Sequence, residues 1–341
     1  MAIGAQLVGS VNLPDTEAVL RLIAGELGTH VRRIPDGETG DRLGWIGCQL
    51  PVIMAAGFTP VAPVSYGGYE LPQLVPPEGE VVFGSLGYAA AAIESWATFQ
   101  RLQAEGVIPA GIRFQVSLPT PQATVSAWVN EADRGRVLEP YAARLLAELE
   151  EIVAAIPNDQ LAVQWDVAVE VGILDGPFRD PSDFEVIANR LAALGEVVPA
   201  AVELGYHFCY GDYGHEHFRQ PDSLALCVAL ADRLTAQVRR QITWFHMPVP
   251  RHIEDEAYFA PLAGYRPRPG TELYLGIVYD RAGVDVSRRL AALAQSALRI
   301  GHTFGVATEC GMGRVPTEDV VETVQRHAVL AAPNVLEAVA V

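Results

Sequence analysis

Basic residues are scarce in this 341-residue chain. Lysine and arginine together number 24 against 41 aspartates and glutamates, a formal charge of −17. A surface this acidic repels nucleic acid and anionic membrane alike, so neither is expected as a partner. Long apolar runs are missing too: no stretch reaches the ~18 uninterrupted apolar residues of a spanning helix. The opening "MAIGAQLVGSVNLPDTEAV" has no basic segment before an apolar one and does not read as a signal peptide. Cysteine is limited to Cys48, Cys209, Cys227 and Cys310. These are too scattered for the disulfide framework of a small secreted domain, and the cytoplasm is the expected compartment. No low-complexity linker, charge block or short repeat divides the chain, so one domain over 1–341 is expected.

What recurs is a short apolar run, a Gly/Pro-rich turn and a longer stretch with helical spacing. The runs are "QLVGSV" (6–11), "HVRRIPDG" (30–37), "RFQVSLPTP" (113–121), "LAVQWDVAVE" (161–170), "ELGYHFCYG" (203–211), "QITWFHMP" (241–248), "ELYLGIVY" (272–279) and "FGVATECGMG" (304–313). Between them lie helical segments such as "DTEAVLRLIAGELG", which opens on an Asp-Thr pair suited to an N-cap and closes on Gly28. "YAARLLAELEEIVAAI", "DVSRRLAALAQSALRI" and "TEDVVETVQRHAVLAA" behave alike. Eight strands each followed by a helix predict an α/β fold of the (β/α)8 TIM-barrel type. The excess length forms an insertion at about 58–105, a loop or hairpin over 58–83 followed by a helix. An open doubly wound sheet is the competitor, but no G-x-G-x-x-G follows the first strand.

Barrel enzymes place their chemistry at the C-terminal ends of the strands. Polar residues cluster at those ends here: Ser10; Asp36, Glu38 and Asp41; Asp166 and Glu170; His207 and Cys209; His246; Asp280; Glu309 and Cys310. Singly, each has an ordinary explanation as a turn or cap residue. Jointly, seven strand ends would need seven unrelated reasons. His207 and Cys209 stand at i and i+2, so a strand points both to one face. With Cys310 they make a plausible zinc site built from distant segments, open at the fourth position as in catalytic zinc centres. Thiolates favour zinc over magnesium or calcium. Cys227 and Cys48 read as buried helical residues, and His215 and His217 as loop residues with a smaller claim on a ligand.

These residues resemble a family. The chain is similar to the C-terminal catalytic barrel of cobalamin-independent methionine synthase, within the superfamily that also holds uroporphyrinogen decarboxylase. "LVGSVNLPDTEAV" resembles the family's "IGSFPQT", which implies a substrate-contacting Ser10. "IPDGETGDRLGWI" resembles "HGEPERNDMVEYF", placing Glu38 where the family binds the amino group of the thiol substrate. "VQWDVAVEVGIL" resembles "IQIDEPALREGL" and carries over Asp166. "YHFCYGD" resembles "THMCYSE", the His-x-Cys zinc pair, and "ATECGMGR" resembles "NPDCGLKTR", which supplies Cys310. The departures are as informative. "ITWFHMPVPR" lacks the family's glutamate zinc ligand, leaving His246 as a candidate replacement. "GIVYDRAG" keeps Asp280 but has Ala282 where "GVYDIHS" has its proton donor. The resemblance does not extend to the family's separate N-terminal barrel, which helps hold the folate, and a methylfolate donor needs protonation at nitrogen to leave. Methylfolate is therefore not the expected donor.

The expected function is a zinc-dependent thiol methyl- or alkyltransferase, or a C–S lyase running the same chemistry backwards. Zn2+ on His207, Cys209, Cys310 and in one version His246 would turn a substrate thiol into a thiolate. Glu38, Asp166 and Asp280 are the candidate catalytic groups, and Ser10, Glu38, Asp166 and Glu309 the candidate substrate contacts. The expected partners are a small-molecule thiol and an alkyl donor. A second copy of the chain is a further candidate, since barrels often pair through outer helices. Two alternatives stay open. One is a metal-free lyase or decarboxylase using Asp and Glu, with Arg32, Arg33, Arg42, Arg251 and Arg314 as carboxylate-binding candidates. The other is a non-catalytic binding barrel.

Overall fold

The computed structural model describes residues 3–66, 69–176, 180, 182–211, 217, 219–299 and 301–332. Strands and helices follow one another in the order α1 (Thr16–Leu27), β1 (Arg33–Pro35), α2 (Gln49–Ala55), β2 (Thr59–Tyr66), β3 (Tyr69–Val75), α3 (Tyr88–Ala104), β4 (Arg113–Pro119), α4 (Pro121–Trp128), α5 (Arg134–Ala155) and β5 (Leu161–Val167). The chain continues through α6 (Val169–Asp175), α7 (Phe184–Glu196), β6 (Glu203–Phe208), α8 (Ala225–Gln237), β7 (Trp244–Pro248), β8 (Glu272–Val278), α9 (Val284–Ala297), β9 (Gly305–Thr308) and α10 (Thr317–Ala331).

Local chemistry sets these boundaries. Asp15 caps α1 by accepting from the Ala18 N–H at 2.8 Å, and Gly28 at φ +49° ends it, a conformation that side chains with a Cβ resist. Thr120 caps α4 in the same way, with Pro121 filling the first helical position, where no N–H is needed. β5 and β8 are buried along their whole length, as expected of parallel strands covered on both faces, outside by helices and inside by side chains of the curled sheet.

Among the described residues, β1-β4-β5-β6-β7-β8-β9 form one parallel seven-stranded sheet in that order. The fold is therefore α/β and TIM-like. The predicted first strand takes part by single bridges rather than a ladder. Ala5 bridges in parallel to Val31, just before β1, and to Val306 in β9, so it lies against both ends of the sheet. The Ala5 and Gln6 amides donate to His30 O (2.7 Å) and Val306 O (2.9 Å). The extra segment between the second and third predicted strands forms the antiparallel hairpin β2–β3 and then α3.

The sheet encloses polar groups as well as apolar ones. At the N-terminal strand ends Arg33 is 1% exposed and donates to Glu203 Oε2, Glu272 Oε2 and Gln6 Oε1, each at 2.9 Å. Its guanidinium lies 4.1 Å from the centre of the Trp244 ring. This end is closed by ion pairing, and the opposite end is where free polar chemistry gathers.

Candidate metal centre and active site

Strand register brings the site together. Asp166 on β5 pairs with His207 on β6, which pairs with His246 on β7. The three therefore stand in one row across neighbouring strands, each strand spaced about 4.8 Å from the next. Cys209 follows His207 by two residues, its amide held to Val167 O at 3.0 Å. Cys310 arrives from the turn after β9, where Thr308 Oγ1 donates to Cys310 O at 2.6 Å. The Sγ atoms of Cys209 and Cys310, 101 residues apart, are 3.6 Å from one another. Among the described residues, His207, Cys209 and Cys310 are the group that can hold a metal, with ligand atoms all within 4.8 Å.

The two imidazoles form a directed relay. His246 Nε2 lies 2.9 Å from Thr308 O, a pure acceptor, so that nitrogen carries the proton. Burial drives the His246 pKa down to about 4, so the ring is neutral and its Nδ1 is an acceptor. His207 Nδ1, 2.7 Å away, must then donate to it. Burial, and next the neighbouring His246, hold His207 well below the usual imidazole range, so it is neutral too. Its Nε2 is left as a bare lone pair, with no hydrogen-bond partner among the described residues. An orphaned buried acceptor is costly unless something coordinates it.

These residues fit zinc. Two thiolates at 2.3 Å on a tetrahedral ion lie about 3.8 Å apart, close to the 3.6 Å seen here. His207 Nε2 supplies the nitrogen ligand, and its Nδ1–H is anchored from behind, as metal-bound histidines usually are. His246, a candidate ligand by sequence, has both nitrogens engaged elsewhere and stands behind His207.

A carboxylate pair flanks the cluster. Glu38 sits in a strained turn at φ +44°, and Trp45 in the same loop has φ +54°. Asp36 holds this loop by accepting from Glu38 N (2.9 Å), Arg42 Nη2 (2.7 Å) and Ser95 Oγ (2.9 Å). The Glu38 carboxylate lies over Gly9, where even a methyl group would come within 3.2 Å of it. Glu38 keeps some solvent contact, yet desolvation raises its pKa well above the usual value, and repulsion from Asp166 and then Asp36 adds to this. Burial raises Asp166 to about 7, against the pull of the Gln164 side chain, which donates at 2.9 Å, and of the Trp45 indole.

Ser10 packs beside the cysteine turn: a methyl group on Gly311 would lie 2.2 Å from its Oγ, and Met312 N donates to Ser10 O at 2.6 Å. Glu309 meets His217 at 3.4 Å, and Asp280 meets Arg251 at 3.4 Å. These four line a pocket of about 60 Å³ that reaches Cys310, and also a cleft of about 470 Å³ outside it. Glu170 is fully enclosed and bonded to Thr120, and burial lifts its pKa to about 7. Cys227 is buried in α8 against Tyr210, and Cys48 lies partly buried in the Glu38 loop. His215 lies outside the described residues. Arg32 and Arg33 pair with Glu272 at the far end of the sheet and cannot serve this mouth.

Sequence reasoning missed the Thr308 carbonyl, which no side-chain pattern announces. It also missed Gln164, although its place two residues before Asp166 on one strand face was a usable signal.

The arrangement defines a class: a TIM-like α/β fold carrying a His-Cys-Cys cluster and a carboxylate pair at the C-terminal ends of its strands. No protein-family model matches the sequence, and no curated protein sequence matches it. Among solved structures the chain is similar to a B12-independent methionine synthase from Shewanella sp. W3-18-1 in complex with selenomethionine (14% identity, 99% of this chain and 98% of that one, TM-score 0.58). It is similar also to a putative vitamin-B12 independent methionine synthase from Listeria monocytogenes (14% identity, 97% and 98% covered, TM-score 0.50). A third neighbour is a methyltransferase from Methanosarcina mazei (12% identity, 96% and 95% covered, TM-score 0.50). At these identities the likeness establishes a methionine synthase-like fold over nearly the whole chain.

Proposed function

We propose that this chain is a zinc-dependent thiol methyl- or alkyltransferase built on a closed eight-stranded barrel, with residues 3–7 acting as the closing strand between β1 and β9. The observation that carries the function is the bare, buried lone pair of His207 Nε2, fixed by His246 and set beside two thiols 3.6 Å apart. Zinc held by His207, Cys209 and Cys310 would supply the Lewis acidity that lowers the pKa of a substrate thiol.

The chain's own residues do the rest. His246 and the Thr308 carbonyl orient His207. The Glu38–Asp166 pair holds at least one proton near pH 7 and can pass it to a leaving group or take one from the incoming thiol. By the family resemblance Ser10, packed beside the Gly311 turn, would be a further substrate contact. Ala282 stands two residues after Asp280, where the resembled family carries its proton-donating histidine, so a donor with a better leaving group than methylfolate is expected.

Elemental mass spectrometry of protein purified without chelator tests this reading, beside a His207→Ala/Cys209→Ala control. About one zinc per chain, absent from the control, followed by thiol consumption with alkyl donors, supports it. No zinc after reconstitution under reducing conditions overturns it. The raised carboxylates would then favour the second reading, a metal-free lyase using Glu38 and Asp166.

A further inference from the structure

Cys310 is partly exposed and lines a small pocket at the strand ends. The small pocket that reaches it, about 60 Å³, has room for roughly two waters' worth of substrate. It shares His217, Arg251, Asp280 and Glu309 with the larger cleft beyond, whose 470 Å³ falls in the range of ordinary ligand sites. That cleft has an unusual charge for this protein. It is lined by Arg251, Arg281 and Arg314 against two carboxylates, Asp280 and Glu309, in a chain whose formal charge is −17. The chain has no lysine, so each of these cations is a planar fork able to grip an oxyanion with two N–H groups.

The ion pairs already present are of the exchangeable kind. Arg251 meets Asp280 at 3.4 Å with about half of its side chain exposed, and Arg281 meets Asp319 at 3.0 Å with 65% exposed. Pairs that open to solvent contribute little and re-form readily. Arg251 is also stacked on the Tyr279 ring, 5.4 Å from its centre, which keeps its fork at the junction of pocket and cleft. Burial chiefly holds the His217 imidazole below its ordinary value, against the pull of Gln220, and His252 and Arg251 add smaller pushes in the same downward direction.

We propose that this cleft holds an anionic arm, a carboxylate, phosphate or sulfonate, of the thiol whose sulfur reaches the cluster through the Cys310 pocket. The arm ends on Arg251 and Arg281, separated from the sulfur by a linker of a few atoms. The proposal rests on the thiol-transferase reading for the identity of the reacting atom, while the anion site stands on the cleft alone.

The test uses the full chain loaded with Co2+, whose visible absorption changes when a thiolate binds. The probes are 3-mercaptopropionate and 3-mercaptopropionamide, equal in length and different in charge. At low ionic strength the acid binds about 10- to 100-fold tighter than the amide. In Arg251→Gln/Arg281→Gln that preference falls to about threefold or less. Both arginines are solvent-facing, and an unchanged thermal midpoint confirms that the variant is folded. Equal binding of the two thiols, or a preference that survives in the variant, overturns the anion site and leaves the thiol reading standing. If neither thiol changes the cobalt spectrum, the thiol reading fails and inorganic phosphate decides the cleft by calorimetric titration. A phosphate dissociation constant raised about tenfold in the variant keeps the anion site, and no difference removes it.

Discussion

The Nδ1 atoms of His207 and His246 stand 2.7 Å apart, and only one of them can carry the proton between them. The Thr308 carbonyl on the far side of His246 decides which. His246→Phe removes the acceptor and leaves the His207 Nδ1–H unpaired. Zinc affinity, read by competition with a chromophoric chelator, should fall about 10- to 100-fold. Nitrogen-15 NMR of the metal-free protein should show His207 as the Nδ1–H tautomer in the parent and a mixture in the variant. An unchanged affinity with an unchanged tautomer would remove the relay.

The two thiols predict a redox liability. At 3.6 Å, Cys209 and Cys310 are in van der Waals contact, so a mild oxidant should join them when no metal holds them apart. Metal-free protein exposed to such an oxidant should lose two hydrogens by intact mass and bind no zinc until reduced. Protein loaded with zinc first should resist. Cys310→Ser should show no such mass loss.

The carboxylate pair sets a pH dependence whose sign can be worked out. Asp166 has a folded pKa of about 7, above its unfolded value, so the folded state binds the proton more tightly. Its contribution to stability is full below about pH 4 and is lost as the pH rises through about 7. Glu38, raised by burial and then by the neighbouring Asp166 and Asp36, acts in the same direction. Asp166→Asn should therefore match the parent in urea denaturation at pH 4 and exceed it at pH 8, by an amount on the order of a few kcal/mol. A parent chain that gained stability over this interval relative to the variant would contradict the assignment.

The closed end of the sheet depends on Arg33. Glu272→Ala strips one of its two carboxylate partners and leaves a buried, under-compensated charge. Denaturation should show a loss of about 3–5 kcal/mol. Zinc content of the protein that still folds should stay near one per chain, because Glu272 begins β8 and lies at the opposite end from the cysteines.

Much of this was legible in the chain. The strand runs could be placed because parallel strands buried on both faces read as unbroken apolar stretches, and α1 because Asp15 and Gly28 mark its ends. His207 and Cys209 could be paired because a strand repeats every two residues. The first run, 6–11, was legible as extended chain, but its reduction to bridges at Ala5 and Val11 was not, since pairing partners come from elsewhere in the sequence. The role of His246 was hidden for the same reason: a histidine at a strand end looks alike whether it meets a metal or another imidazole.

By itself the sequence determined the alternation of strands and helices, the acidic surface and the residue types gathered at one set of strand ends, because periodicity, capping and charge are local properties. Only the tertiary structure decided that Cys310 meets Cys209, that His246 stands behind His207, and that Arg33 and Arg251 serve opposite ends of the sheet. Each of these depends on strand register, on which way a ring is turned or on the depth of burial, and none of those is written in any one stretch of chain.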